Sequence, residues 1–186
     1  LQGSKSLENI FGFEEFDSEH FNEFLLRNNL LFVYKLHPNE EKFYSEYTNL
    51  INPELSCRLS NDVLSEHDFD LYQIINSADI LITDYSGIFI DYLLLDRPII
   101  FTPVDLESYA KTRSFLYGPF DEWTPGRKVL TQNELVGEIS ALLEGGDEFQ
   151  LDRRSATNIW HEYQDNKSSE RSSVVINNLL FSGEKN

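Results

Sequence analysis

The sequence predicts an α/β protein with a doubly wound parallel sheet. Helical and extended segments alternate along most of the chain, with short connections between them. Two of the extended segments, 30–36 and 98–101, are nearly continuous apolar runs, which is the pattern of a parallel strand covered on both faces. Parallel neighbours need a crossover, and the favoured crossover is a right-handed helix, so the alternation favours one doubly wound sheet.

The first half of the chain supplies three helices and three strands in this interpretation. A helix is predicted over 18–29, because its apolar residues fall on one face and two asparagines end it. The strand at 30–36 ends at His37-Pro38, where the proline cannot donate to a ladder. The remaining elements before residue 84 are a helix over 40–51, a weak strand over 57–59, a short helix over 70–77 and a strand over 79–83.

The second half continues with a helix over 86–95 and the strand at 98–101. The stretch 102–128 has no regular period and is interrupted by prolines and aromatic residues, so we interpret it as a long functional loop. Thr131 and Glu134 form a capping-box pattern that predicts a helix through residue 143. A short strand at 129–130 and two final helices, 149–163 and 168–180, complete the prediction.

Composition bounds the class of protein. The 186 residues fit one domain, and the formal charge of −17 opposes binding to nucleic acid. Cys57 is the only cysteine, which excludes an intramolecular disulfide and a cysteine zinc site and favours a reducing compartment. No apolar run is long enough for a membrane span, and no signal peptide is recognisable, so we expect a soluble segment. The lack of any methionine suggests that the segment belongs to a longer protein.

The turn after the strand at 79–83 is the first candidate site. Asp84, Ser86 and Gly87 are residues that end strands and begin helices. With Ser86 at or near the N-cap, the free N–H groups of the next helix would face outward beside the positive end of its dipole, where an anion binds well. Gly87 would let a phosphate approach the backbone. The alternative is an ordinary helix cap.

His37 and Arg171 are the other candidates for anion binding. His37 follows a strand, at the sheet edge where ligands bind in open α/β folds, although it could also be a packed or solvent-facing histidine. A cation such as Arg171 opposes the dipole at the start of a helix, so it is expected to have an anionic partner. That partner is either a ligand phosphate or a neighbouring carboxylate, Glu170 or Asp165.

Asp91 lies among apolar residues and is expected to be half-buried and hydrogen-bonded, either to backbone or to a ligand. In the loop 102–128, Arg113 is a second possible anion contact, whereas Asp105 and Tyr109 are expected to be solvated. No metal constellation and no glycine-rich nucleotide motif is visible, so no cofactor is expected.

Several motifs, taken together and in this order, resemble one family. They are Lys35-Leu36-His37-Pro38, the segment 78–92, the segment 97–101, the segment 105–109, Pro125-Gly126 and the segment 168–171. The family is that of the CDP-glycerol glycerophosphotransferases, the polymerases and primases of teichoic-acid-like polymers. The resemblance covers about residues 30–180 and is far more specific than any single motif.

The resemblance implies the C-terminal, nucleotide-binding half of a GT-B glycosyltransferase-like fold, with two Rossmann-type halves facing each other. A serine pair of the family maps to Ser86 and Gly87, so the second hydroxyl is absent here while both backbone N–H groups are expected to remain available. His37 matches a catalytic histidine at the diphosphate. The resemblance also assigns phosphate binding to Arg171, Ser168 and Ser169, with Glu170 as a possible further contact, and nucleotide binding to Pro38, Asp84 and Asp91.

The family also has parts that this sequence does not include. A strand with a Pro-Thr-x-Arg motif and an acceptor-binding half precede the position of Leu1, and that strand is the central one of the usual order. The segment would have to close this gap, pair with another copy or leave an edge exposed. The general base for the acceptor is expected in the absent half, so the isolated segment is expected to be inactive.

The resemblance implies transfer of glycerol phosphate, or a related polyol phosphate, from a CDP-activated donor to a polymer or lipid-linked acceptor, with CMP released. The expected place is the cytoplasm, at the inner face of the cell membrane for the full-length protein. Two alternatives stay open, a nucleotide-sugar glycosyltransferase on the same fold and a non-catalytic nucleotide-binding module.

Overall fold

Parallel strands form the centre of the molecule in the computed structural model, which describes residues 10–36, 51–113 and 118–181, except for the side chains of 112 and 113. The strands are β1 (Phe32–Tyr34), β2 (Ser56–Arg58), β3 (Leu81–Thr83), β4 (Ile99–Phe101) and β5 (Arg127–Lys128). The helices are α1 (Ser18–Arg27), α2 (Asn61–Glu66), α3 (Leu71–Ile75), α4 (Ile88–Tyr92), α5 (Leu106–Arg113), α6 (Phe120–Trp123), α7 (Gln132–Leu143), α8 (Gln150–Trp160) and α9 (Ser168–Phe181). A 3₁₀ turn, Leu93–Leu95, extends α4.

The strands form two sheets. In the first, β1 pairs with β2, and in the second the order is β3-β4-β5, with every pair parallel. Within the described ranges no backbone pairing joins β1 to β3. The strand orders are therefore β2-β1 in one sheet and β3-β4-β5 in the other. The described strands do not close the gap expected at the place of the central strand, between β1 and β3.

The sheet β3-β4-β5 is covered on both faces, as a doubly wound arrangement requires. Ile100 is fully buried in a cluster with residues of α1 and α7. Its neighbours Ile99 and Phe101 point the other way, into a cluster with residues of α4 and α8. Successive side chains of a strand face opposite sides, so the continuous apolar run of β4 places one helical layer on each face.

The first layer is held by an aromatic cluster. Phe21, Phe24 and Leu25 are the buried residues of α1, as the apolar face of that segment predicts. Phe21 packs against Phe11 and Phe32 with ring centroids 5.5 and 5.8 Å apart. Such edge-on contacts between aromatic rings add to the stability gained from burial.

The predicted capping box of α7 is confirmed. Thr131 Oγ1 accepts the N–H of Glu134, and the Glu134 carboxylate accepts the N–H of Thr131. At the other end Gly145 has φ 87°, and the N–H of Gly146 donates to the Ala141 carbonyl at 2.8 Å. A left-handed residue after the last helical turn is the standard role of glycine in this type of helix end.

Three predicted elements differ from the structure or cannot be compared with it, and one helix of the structure is not predicted. The stretch 102–128 is not irregular, because it contains α5, α6 and β5. The last strand is Arg127–Lys128 and not 129–130, and α2 is a helix that the pattern does not predict. The helix predicted over 40–51 lies almost entirely outside the described residues.

Candidate functional site

The turn between β3 and α4 is built from Asp84 to Gly87. Asp84 Oδ1 accepts the N–H of Ser86 at 3.0 Å, which closes a tight turn at the carboxyl end of β3. Gly87 is the N-cap of α4, and no side chain caps that helix. Ser86 therefore lies directly before the N-cap, near it as expected, but its side chain does not cap the helix.

This turn leaves backbone donors available. The N–H of Ser86 is occupied by Asp84, which corrects the expectation that both N–H groups of the Ser86-Gly87 pair remain available. In the described part of the chain the N–H groups of Gly87, Ile88 and Phe89 have no acceptor. A Cβ built on Gly87 meets nothing within 4 Å, so open space lies beside these donors. Free N–H groups at the positive end of a helix attract an anion.

Tyr85 connects the same turn to α5. Its hydroxyl donates to Asp105 Oδ1 at 2.9 Å, and its ring stacks on Tyr109 with centroids 4.0 Å apart. Burial, together with the bond to Asp105, raises the pKa of Tyr85 well above its usual value. Asp105 and Tyr109 are thus structural partners of the turn and not simply solvated, which the sequence does not predict.

Arg171, the fourth residue of α9, is held on three sides. Its Nη1 donates to both carboxylate oxygens of Asp165, at 2.9 and 3.1 Å, and its Nη2 donates to Ser168 Oγ at 3.1 Å. The guanidinium lies over the ring of Tyr163, 3.9 Å from its centroid. The N–H of Lys167 and then Arg171 lower the pKa of Asp165 below its usual value. Of the two carboxylates considered for Arg171, Asp165 is the one that binds it.

The segment that leads to Arg171 is anchored against α4. His161, the C-cap of α8, lies with Nε2 2.7 Å from the carbonyl oxygen of Ile90, in the middle of α4. Trp160 packs edge-on against Phe89, with centroids 6.5 Å apart. The core-facing side of α4 is therefore packed against the end of α8, the helix that precedes the turn leading to Arg171.

The other predicted site residues are less informative. Asp91 is exposed and not half-buried, and the Tyr72 hydroxyl lies 3.4 Å from its Oδ2. Ser169 and Glu170 are exposed on the first turn of α9. His37, Pro38 and the side chain of Arg113 lie outside the described residues, so their roles stay predictions.

One of these features, the contact of Tyr163 with Arg171, is not apparent in the sequence. Tyr163 precedes Arg171 by eight residues and meets it only because the turn at 164–167 folds back, so helical spacing gives no signal. The Asp165 side chain also accepts the N–H of Lys167 at 2.9 Å, a local turn contact that the sequence Asp165-Asn166-Lys167 is typical of.

The described residues contain no group of three metal-ligating side chains. None of the helices described is both long and apolar enough to cross a bilayer. Among the predicted site groups that the structure describes, the free N–H groups at the start of α4 and the guanidinium of Arg171 are the donors best suited to an anion.

Comparison with known proteins identifies relatives over nearly the whole chain. Residues 2–179 match the family described as CDP-glycerol:poly(glycerophosphate) glycerophosphotransferase. A teichoic acid ribitol-phosphate primase of Bacillus spizizenii is 41% identical over 115 residues, which are 62% of this chain and 28% of the primase. The ribitol-phosphate polymerase TarL of Staphylococcus aureus is 27% identical over 176 residues, 92% of this chain and 28% of TarL. The chain thus spans less than a third of the length of these relatives.

The fold is shared with a solved structure. The wall teichoic acid polymerase TagF superposes with a TM-score of 0.52 and 20% identity, over 91% of this chain and 49% of the TagF chain. At this identity the likeness concerns the fold alone. It confirms the predicted α/β class and agrees with the interpretation of the chain as one half of a GT-B-like architecture.

Proposed function

This chain belongs to the CDP-glycerol:poly(glycerophosphate) glycerophosphotransferase family, and from that premise we propose that it is the donor-binding part of a polyol-phosphate transferase. The donor is CDP-glycerol or a related CDP-polyol, and the acceptor is a teichoic-acid-like polymer or its lipid-linked start. The observation that carries the proposal is the family match over residues 2–179, because this range contains the turn at 84–87, Arg171 and His37.

The chemistry available in the chain suits a diphosphate. The free N–H groups at Gly87 and the start of α4 offer neutral donors, and Arg171 offers a cation with a geometry that matches phosphate oxygens. The space beside Gly87 leaves room for the ligand. The global charge of −17 does not oppose this, because local donors dominate at contact distance.

In the proposed reaction an acceptor hydroxyl oxygen attacks the phosphorus that carries the polyol. The bond from this phosphorus to the bridging oxygen breaks, and CMP leaves with that electron pair, while the acceptor proton passes to a general base. The N–H groups of α4, Arg171 and His37 would stabilise the charge that develops on CMP. Each well-placed donor contributes ~2 to 4 kcal/mol to such a step.

Titration calorimetry on the full-length protein tests the proposal. We expect CDP-glycerol or CDP-ribitol to bind in preference to UDP-sugars, which a nucleotide-sugar glycosyltransferase would prefer. The substitution Arg171→Ala should weaken donor binding on the order of 10- to 100-fold, because a charge-assisted bond contributes about 1.5 to 3 kcal/mol. Preference for a UDP-sugar would contradict the proposal.

Turnover separates the enzyme from a binding module. We expect CMP release from the full-length protein and its strong reduction in His37→Ala and Arg171→Ala. Unchanged turnover in both variants would remove the site assignment.

The proposed place of action is the inner face of the cell membrane, and recovery of the full-length protein only in the fraction free of membranes would contradict it.

A further inference from the structure

The contacts around Arg171 point to a second role in the donor site. Three interactions, with Asp165, Ser168 and Tyr163, hold one partly buried arginine in a single orientation. An arginine side chain loses considerable rotamer freedom when it is fixed in this way. An ion pair at this exposure stabilises a fold very little in return, since the side chains of Arg171 and Asp165 are 32% and 45% exposed.

The guanidinium retains donors for a ligand. Arginine carries five N–H groups, and the bonds to Asp165 and Ser168 use at most three of them. At least two N–H groups are therefore free of partners among the described residues. Two donors of a planar guanidinium are what a bidentate contact with a phosphate needs.

We propose that Asp165 is a positioning residue of the donor site, whose carboxylate orients Arg171 before the diphosphate binds and keeps its bonds to Arg171 afterwards. The inference rests on the proposed phosphate contact of Arg171. Tyr163 supports the same orientation by covering one face of the guanidinium. A guanidinium held in the bound orientation loses less freedom when the ligand arrives, and binding is tighter for that reason.

The same contacts also define the opposite role for Asp165. Asp165 could compete with the phosphate, so that the ligand has to displace it. The free donors favour positioning, because displacement is unnecessary when at least two N–H groups are available. The Asp165 carboxylate is in turn anchored by the N–H of Lys167 at 2.9 Å, so it is part of the turn and does not depend on Arg171 alone.

A double-mutant cycle on the full-length protein tests the proposal, with CDP-glycerol as the probe and the dissociation constant as the readout. Asp165→Asn should weaken binding about fivefold when Arg171 is present. In the Arg171→Ala background the same substitution should change binding by less than about twofold, because nothing is left to position. The melting temperature of Asp165→Asn should equal that of the wild type, as expected for an exposed ion pair.

Glu162→Gln is the matched control, because it removes one negative charge from an exposed residue of the same segment. It should leave the dissociation constant unchanged. Tighter binding by Asp165→Asn would show competition and overturn the proposal, as would an unchanged constant or an effect equal to that of Glu162→Gln. Equal effects of Asp165→Asn with and without Arg171 would also overturn it. Unchanged binding in Arg171→Ala would instead refute the phosphate contact on which the inference rests.

Discussion

The position of Gly126 allows a quantitative test of how β5 is placed. A Cβ built on this residue lies 2.1 Å from the carbonyl oxygen of Ile99 in β4 and 3.0 Å from the ring of Phe101. The backbone would have to move by ~1 Å or more to restore van der Waals separation. Movement there strains the adjoining ladder bond, in which the N–H of Val129 donates to the Phe101 carbonyl at 2.8 Å.

The expected cost of Gly126→Ala is the sum of two effects. Overpacking in a well-packed core costs about 1 to 3 kcal/mol, and a weakened backbone hydrogen bond adds up to about 1 kcal/mol. We therefore expect the free energy of unfolding to fall by about 2 to 4 kcal/mol. Urea unfolding of the full-length protein, followed by tryptophan fluorescence, measures this, since Trp123 and Trp160 pack together 5.6 Å apart in the affected region.

Gly137→Ala is the matched control, because it is the same chemical change at a site without this clash. Gly137 is exposed in the interior of α7, and a Cβ there meets nothing within 4 Å. Glycine in a helix interior is less stable than alanine by about 0.5 to 1 kcal/mol, so this variant should be more stable than the wild type. Equal effects of the two substitutions would refute the close approach of β5 to β4.

Three further predictions concern charge and the donor site. Asp147 bonds the buried Arg153 at 2.8 and 2.5 Å, which lowers the pKa of Asp147 below 3.8, so Asp147→Asn should destabilise the protein by about 3 kcal/mol at pH 7. Because the pKa of Asp147 is lower in the folded state, its contribution to stability is complete above pH 3.8 and is lost as the pH falls through the folded value. Unfolding curves should therefore show a smaller difference in the free energy of unfolding between wild type and Asp147→Asn at pH 2 than at pH 7. Gly87→Ser should leave stability unchanged, since a Cβ fits there, and should tighten donor binding in calorimetry by adding a hydroxyl; weaker binding would contradict this. Tyr163→Leu should weaken donor binding by about three- to tenfold while Tyr163→Phe does not, since the stacked ring holds Arg171, and equal effects of the two would refute the role of the ring.

Local signals explain why α7 and β4 are predictable from sequence. The capping box of Thr131 and Glu134 involves residues three positions apart, so its bonds depend on little else. The apolar run Ile99–Phe101 requires burial on both faces, which only a covered parallel strand provides. The family motifs add a likeness over the whole chain that no single element conveys.

Other features depend on the path of the chain in three dimensions. The prolines of 102–128 suggest a loop, yet Pro119 is the N-cap of α6, a position where proline is compatible with a helix. Asp91 has apolar neighbours in sequence, but helical geometry turns it outward from the core that holds Phe89 and Tyr92. The contact of Tyr163 with Arg171 requires the turn at 164–167, so residue pattern alone does not indicate it.

The central claim is that this chain binds the diphosphate of a CDP-activated donor between the start of α4 and Arg171. A structure of the full-length protein with CDP-glycerol bound tests it most directly. We predict diphosphate oxygens within hydrogen-bond distance of the Gly87 N–H and of Arg171, with Asp165 still bonded to Arg171. A diphosphate that contacts neither Gly87 nor Arg171 would contradict the account.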